Sequence, residues 1–122
     1  MSRFELKLNG TDVSRMLHKW GVSYTMVKVR GVNGGVSQGG VVIEDVLRTK
    51  DLFTFRGNSV EDADWRQLCA LCDQNYATAE YRSPRTGETG EHTVMLELSG
   101  DTIAHMNGRI WHSGWSLTME ER

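Results

Sequence analysis

The residues of this sequence best suited to chemistry are two cysteines three positions apart, Cys69 and Cys72. Such a pair binds zinc or exchanges disulfides in many proteins, but a structural zinc site needs about four nitrogen or sulfur ligands. No second CxxC occurs, and the histidines are scattered along the chain: His18, His92, His105 and His112. A redox pair acquires its low thiol pKa at a helix N-terminus, whereas Cys69 lies well inside its predicted helix. Packing in a core is the favoured interpretation, and zinc or redox chemistry is the alternative.

Acidic and nucleophilic residues give a similar result. The acidic residues near the cysteines are Glu61, Asp62, Asp64 and Asp73. Their pattern favours a solvated helix face and an acidic helix start over paired catalytic carboxylates. Serine, histidine and aspartate are all present, but no G-x-S-x-G motif indicates a nucleophile. We therefore predict a protein that is not an enzyme, with no catalytic residue, no metal and no cofactor.

Aromatic residues near the C-terminus suggest a binding surface. Trp111 and Trp115 lie on the same face of a predicted strand, where they could stack on bases or sugars. No basic groove accompanies them, so burial in a core or a subunit interface is favoured. The alternative is a stand-alone β-domain that uses Trp111, Trp115 and Tyr81 to bind a host surface or a small ligand.

Length and composition restrict the class of protein. A chain of 122 residues suits one domain, and we predict that residues 1–122 form a single β-rich domain. The net charge is −2, so no basic excess indicates recognition of nucleic acid. No apolar run reaches the roughly 20 residues that cross a bilayer, and the N-terminus lacks an apolar signal core. Two closely spaced cysteines make a poor disulfide framework, which indicates reducing cytosol.

A helix predicted over residues 59–76 must position the cysteines. Apolar and aromatic residues recur along it at steps of three and four, which places them on one side of a helix. These core-facing residues are Trp65, Leu68, Cys69, Cys72 and Tyr76. Ser59 with Asp62 three residues later resembles a capping box at the start of the helix.

Alternating apolar residues predict about seven strands around this helix. The predicted strands are residues 4–8, 22–30, 41–56, 77–82, 93–98, 102–106 and 109–119. Asn107-Gly108 is a strong hairpin signal between the last two, and residues 11–20 predict an irregular or partly helical connection. The fold class is α+β, a mainly antiparallel sandwich or barrel with one packed helix.

A glycine-rich segment interrupts the strands at residues 31–40. It matches neither GxxxxGK[ST] nor GxGxxG, so a nucleotide site is not favoured. Long loops in compact domains are often functional or disordered. One interpretation is a long flexible hairpin loop, and we predict a flexible arm that contacts a neighbouring subunit. Its residues are Gly31, Val32, Asn33, Gly34, Gly35, Val36, Ser37, Gln38, Gly39 and Gly40.

Motifs along almost the whole chain resemble a family of small tail proteins encoded in phages and prophages, mostly of Gram-positive hosts. They are residues 8–14 (LNGTDVS), 20–24 (WGVSY), 48–50 (RTK), 68–72 (LCALC), 81–87 (YRSPRTG) and 111–121 (WHSGWSLTMEE). The chain departs from the family at Gly34-Gly35 and Gly39-Gly40, where relatives often carry Asp or Thr-rich segments.

The resemblance implies a non-catalytic structural part of a virion tail or baseplate, made in the host cytoplasm. It also implies a tail-tube type of β-barrel with one helix, assembled as a ring of identical subunits that is hexameric if the protein is tail-tube-like. The implied partners are copies of the chain and other tail or baseplate proteins, with no membrane and no recognition of nucleic-acid sequence. Ring-forming β-proteins pair sheet edges across subunits, which suits the arm and the strand at 41–56.

Overall fold

A computed structural model describes residues 4–31 and 45–122 of the chain, which form ten strands, one α-helix and one 3₁₀ turn. In chain order they are β1 (Lys7–Leu8), β2 (Thr11–Asp12), the 3₁₀ turn (Ser14–Met16), β3 (Leu17–Gly31), β4 (Asp45–Gly57), β5 (Val60–Glu61), α1 (Asp62–Cys72), β6 (Ala77–Arg82), β7 (Thr89–Ser99), β8 (Thr102–Met106), β9 (Arg109–Ser113) and β10 (Ser116–Glu121). The α+β class with a mainly antiparallel sheet and one helix is confirmed.

The strands form a seven-stranded sheet in the order β2-β1-β6-β7-β10-β4-β3 and a three-stranded sheet in the order β5-β9-β8. Every pairing between these strands is antiparallel. The predicted barrel is wrong for the described residues, because the larger sheet is open, with β2 at one edge and β3 at the other. A two-residue β2 offers too short a ladder to close the sheet against the 15-residue β3.

One face of the larger sheet forms the core. Leu6 and Leu8 are fully buried, as their alternation predicts, and so are Phe53 and Phe55 on β4. The two phenylalanine rings are stacked with centroids 5.5 Å apart. Each fully buried side chain of this size stabilises the fold by about 1.5–3 kcal/mol relative to an exposed one. Burial on this face of the larger sheet therefore stabilises the fold.

The predicted Asn107-Gly108 hairpin is confirmed, and it joins β8 to β9. Both residues have positive φ angles, 53° and 72°, as a two-residue type I′ turn requires. The single strand predicted over residues 109–119 is wrong. Gly114, with φ of 68°, ends β9 in the small sheet, and β10 then continues in the large sheet.

The helix is shorter than predicted, because it begins at Asp62 and ends at Cys72. Residues 60 and 61 instead form β5, and pair with His112 and Trp111 of β9. Glu61 is the N-cap residue and its side chain accepts no capping hydrogen bond, so the predicted capping box at Ser59 is wrong. Pairing with β9 satisfies backbone groups that a helical start would have left to a cap.

The segment at residues 11–20 is the predicted irregular connection only in its first part. A 3₁₀ turn, Ser14–Met16, leads directly into β3 at Leu17. Val13 and Met16 are buried in the core. Trp20 lies on the edge strand β3 and is 70% exposed.

Candidate functional site

The larger sheet carries a two-stranded extension. Strand β10 pairs with β4 only as far as Leu52, whereas β3 and β4 remain paired from Met26↔Asp51 out to Gly31↔Asp45. We call residues 26–31 and 45–51 the β3–β4 ribbon. Among the described strands, each strand of the ribbon pairs only with the other. The ribbon therefore presents the free edge of β3, which is a template for pairing with another chain.

The predicted arm follows directly on this ribbon along the chain. Gly31 is the last residue of β3. The remaining arm residues, 32–40, and residues 41–44 of the predicted strand lie outside the described residues. Contact of the arm with a neighbouring subunit therefore stays a prediction.

The ribbon is attached to the sheet by a buried aspartate. Asp51 lies on the same face of β4 as the buried phenylalanines and is fully buried. Tyr24 donates a hydrogen bond to its Oδ1 (2.6 Å), and Tyr81 and Ser83 each donate one to its Oδ2 (2.9 Å). The Arg85 guanidinium lies 3.5 Å from Oδ1. The carboxylate thus joins β3, β4, β6 and the loop after β6 at the base of the ribbon.

These contacts determine the ionisation of the cluster. Burial by itself would raise the pKa of Asp51, but the hydrogen bonds from Tyr24, Tyr81 and Ser83, together with Arg85, outweigh it and leave that pKa lowered. Burial and the Asp51 carboxylate raise the pKa of Tyr24 to about 12 and also raise the pKa of Tyr81. The aspartate is therefore charged and both phenols are neutral at neutral pH.

Beyond Leu52, β4 has no backbone partner on β10, and a side chain of β10 bonds to the β4 backbone instead. Glu121 Oε1 accepts a hydrogen bond from the backbone N–H of Asp51 at 2.9 Å. Its second oxygen lies 3.1 Å from Nδ1 of His92, and the His92 ring is stacked on Tyr81 with centroids 4.5 Å apart. Lys50 and Glu120 form an ion pair beside it at 2.7 Å. The base of the ribbon is therefore held by hydrogen bonds, an ion pair and ring stacking.

The residues predicted on the core side of the helix are placed differently from one another. Leu68 is fully buried, and Trp65 and Cys72 pack partly buried against the core. The expectation that Cys69 fills the core is wrong, because it is exposed. Tyr76 lies beyond the end of the helix, where the Arg122 guanidinium is 4.6 Å from its ring centroid. The helix ends before Tyr76, and Cys69 lies on its exposed side.

The environment of the two cysteines opposes thiol chemistry. Burial raises the pKa of Cys72 to about 12, and partial desolvation of its thiol together with three nearby aspartates raises the pKa of the exposed Cys69. Among the described residues, no group of three or more His, Cys, Asp or Glu side chains is arranged to hold a metal ion. In the same part of the chain, no helix is long and apolar enough to cross a bilayer.

Thiol labelling tests this assignment. We expect iodoacetamide at neutral pH to modify the exposed Cys69 more slowly than a free cysteine, and Cys72 only after unfolding, because only the thiolate reacts. Mass spectrometry of the protein labelled with and without urea measures both. Rapid labelling of Cys69 in the folded protein would contradict the raised thiol pKa, and the Cys69→Ser variant identifies which cysteine reacts.

The aromatic binding surface predicted as an alternative is not formed. Trp115 and Tyr81 are each only 1% exposed, so neither can stack on a ligand. Trp115 also donates a hydrogen bond from Nε1 to the backbone carbonyl of Asn58 at 2.9 Å. Trp111 is partly buried. The binding-module hypothesis through these three residues is therefore wrong, and the favoured burial is confirmed for Trp115.

A second polar cluster was not foreseen from the sequence. His112 on β9 is 4% exposed, and its two ring nitrogens each lie 2.8 Å from a carboxylate, Nδ1 from Asp101 and Nε2 from Asp62. Its ring is stacked on Trp65 with centroids 4.9 Å apart. The spacing of these residues along the chain gives no signal, since Asp62 and His112 are 50 residues apart. Only the antiparallel pairing of β5 with β9 brings them together.

Comparisons with known proteins give one similarity. No protein-family model matches the chain, and no curated protein matches it. In structure it is similar to a chain of a particle described as "Virion of native gene transfer agent (GTA) particle". That chain belongs to a virion. The two share 17% sequence identity over 98% of this chain and 90% of that chain, with a TM-score of 0.45.

Proposed function

We propose that this protein is a non-catalytic structural component of a phage-like tail or baseplate and assembles with copies of itself into a ring. The observation that carries the proposal is the β3–β4 ribbon, which extends beyond the larger sheet with the edge of β3 free. The resemblance of the sequence to small phage tail proteins supports the kind of particle. The protein would then be made in the host cytoplasm and reside in the virion beside other tail or baseplate proteins.

The exposed edge supports assembly with another chain. An isolated two-stranded ribbon is only marginally stable in water, and proteins usually protect long edge strands with charges, prolines or bulges. Within β3, a register shift between Val29 and Arg30 is the only irregularity along the ribbon. Met26 is 50% exposed on the ribbon and Trp20 is exposed on the same strand. A neighbouring subunit that pairs with β3 would cover both side chains and complete the ladder.

The base of the ribbon supports the same role. The Asp51 carboxylate holds β3 through Tyr24 and holds β6 through Tyr81. A ribbon fixed at its base presents its edge in one orientation, and binding then costs less conformational entropy. Residues 32–44, which join β3 to β4 along the chain, would contact the same neighbour, in agreement with the predicted arm.

A substitution on the exposed edge tests the proposal. We expect Met26→Glu to weaken self-association at least about tenfold, because a carboxylate buried between subunits loses its hydration. Met95→Glu is the matched control, because Met95 is 40% exposed but lies on β7, a central strand. Sedimentation velocity at high protein concentration measures the association of wild type and both variants.

Two results would contradict the proposal. One is a wild-type protein that stays strictly monomeric at high concentration and is absent from purified particles. The other is equal weakening by Met26→Glu and Met95→Glu, which would assign assembly to a different surface. Deletion of residues 31–40 tests the arm separately, since normal incorporation of the deletion variant into particles would exclude its contribution.

A further inference from the structure

His112 is held between two carboxylates in a way that only one protonation state satisfies. Its Nδ1 and Nε2 lie 2.8 Å from Asp101 Oδ2 and Asp62 Oδ1, respectively. A neutral imidazole carries one N–H and can donate to only one of them, whereas the imidazolium donates to both. Asp101 Oδ1 is buried and has no hydrogen-bond partner among the described residues. Among the described residues, the other oxygen of that carboxylate is therefore bonded by the His112 ring alone.

The three side chains come from three different elements. Asp62 is the first residue of α1, Asp101 lies in the turn between β7 and β8, and His112 lies on β9 at the centre of the small sheet. His112 is directly opposite Val60 of β5 and Ile103 of β8. The ring thus connects the small sheet to the helix and to the end of the larger sheet.

The remaining charges around the ring do not provide a substitute donor. On α1, Arg66 forms an ion pair with the other oxygen of Asp62 at 2.9 Å. The Cys69 thiol, also on α1, is near enough to Asp62 and Asp101 for both to raise its pKa. On β5, Glu61 pairs with Arg109 of β9 at 2.9 Å. On β8 the residue opposite His112 is the uncharged Ile103. Among the described residues, only His112 is therefore hydrogen-bonded to the Asp101 side chain.

The His112 ring also packs against aromatic residues that connect the small sheet to the core. The imidazole is stacked on Trp65 with an interplanar angle of 10°, and Trp65 in turn contacts the edge of Trp115 with centroids 5.7 Å apart. A cation over an indole face gains further from the ring quadrupole. The contact chain therefore runs from the small sheet through the helix into the core.

We propose that His112 is a pH-sensitive latch, whose protonated ring holds the small sheet β5–β9–β8 against α1 and the β7–β8 turn. Loss of the ring proton leaves one carboxylate without its donor, so the latch opens at that contact and the small sheet loosens together with its exposed edge strand β8. This inference does not depend on the proposed assembly function.

The direction of the pH dependence follows from the environment of the ring. Burial by itself would lower the pKa of His112, but the hydrogen bonds and charges of Asp101 and Asp62 outweigh it and leave that pKa raised. A raised pKa means that the contribution to stability is fully present below the ordinary value of about 6.5 and is lost as pH rises through the folded-state value. The latch is closed in acid and open in alkali.

Two measurements on the full chain test the latch. NMR titration should give His112 a pKa above about 6.5, with the signal assigned by its loss in His112→Gln, and Asp101→Asn should lower that pKa. Hydrogen exchange, corrected for the intrinsic rise of the rate with pH, should show several-fold lower protection of β8 and β9 at about pH 9 than at about pH 6. Amides of β6 and β7 serve as the internal control and should keep their protection.

Either measurement can overturn the proposal. A His112 pKa at or below about 6.5 in the wild-type protein excludes a ring held protonated by two carboxylates. Protection of β8 and β9 that is the same at both pH values excludes the latch even if the ring titrates high. If His112→Gln does not fold, the response of the titrating signal to Asp101→Asn assigns it, and the wild-type exchange data still decide.

Discussion

Asp51→Ala should lower the free energy of unfolding by about 3–5 kcal/mol, the range seen when one partner of a buried charged network is removed. The substitution leaves the hydroxyls of Tyr24, Tyr81 and Ser83 without the acceptor they now share. Each buried donor without an acceptor costs about 1–3 kcal/mol. Urea unfolding followed by tryptophan fluorescence measures the change.

The charge of Asp51 gives the prediction a second readout. Its lowered pKa means that its contribution is fully present above the ordinary aspartate value and is lost as pH falls through the folded-state value. Stability of the wild-type protein should therefore fall below about pH 4, and Asp51→Ala should flatten that part of the profile. At the alkaline end, the raised pKa of Tyr24, about 12, makes stability fall as pH rises above about 10.

The matched control is Asp73→Ala, an exposed aspartate just after the helix. Surface substitutions of this kind usually change stability by no more than about 0.5 kcal/mol. Equal loss in Asp51→Ala and Asp73→Ala would show that the buried network contributes nothing beyond surface charge. A loss specific to Asp51 that is also seen in Asp51→Asn would assign the effect to the charge rather than to the shape of the side chain.

Gly57→Ala should also be strongly destabilising, by about 3 kcal/mol or more, since overpacking at a rigid site exceeds the usual 1–3 kcal/mol. A β-carbon at this position would overlap the indole ring of Trp115. The ring cannot move easily, because it is buried and bonded to Asn58 through Nε1. The backbone N–H of Gly57 also donates to the carbonyl of Trp115 at 2.9 Å, which keeps the two segments in contact. Differential scanning calorimetry measures the loss.

Gly90→Ala is the control for this substitution. Gly90 lies on β7, and a β-carbon there meets no other atom within 4 Å. Alanine also restricts the unfolded chain more than glycine does. We therefore expect unchanged stability or a gain of up to about 1 kcal/mol. Similar melting temperatures for Gly57→Ala and Gly90→Ala would exclude close packing of the indole on Gly57.

The candidate site divides into a part that sequence patterns reach and a part that they do not. The alternation in β4 predicts Phe53 and Phe55 as buried, and the structure agrees. The same alternation places Asp51 on the buried face. From its residue type alone, however, an aspartate in a strand is predicted to be exposed to solvent. The hydrogen-bond donors to its carboxylate lie 27 to 32 residues away along the chain, and periodicity carries no information about such partners.

The elements whose cause is local could be predicted from the amino-acid sequence. Apolar alternation located the longer strands, Asn107-Gly108 located the β8–β9 hairpin, and the step of three and four located the centre of the helix. Backbone propensity and turn chemistry act over a few residues, so they are visible in the order of the amino acids.

Features that depend on pairing between segments far apart in the chain are visible only in the tertiary structure. The helix ends at Cys72, and Cys69 is exposed. The larger sheet is open at β3. Asp62 and Asp101 lie on the two sides of His112. Burial and protonation are set by neighbours that only strand pairing brings together. The physical reason is that a side chain's solvation and charge state depend on what surrounds it in space, whatever its neighbours along the chain.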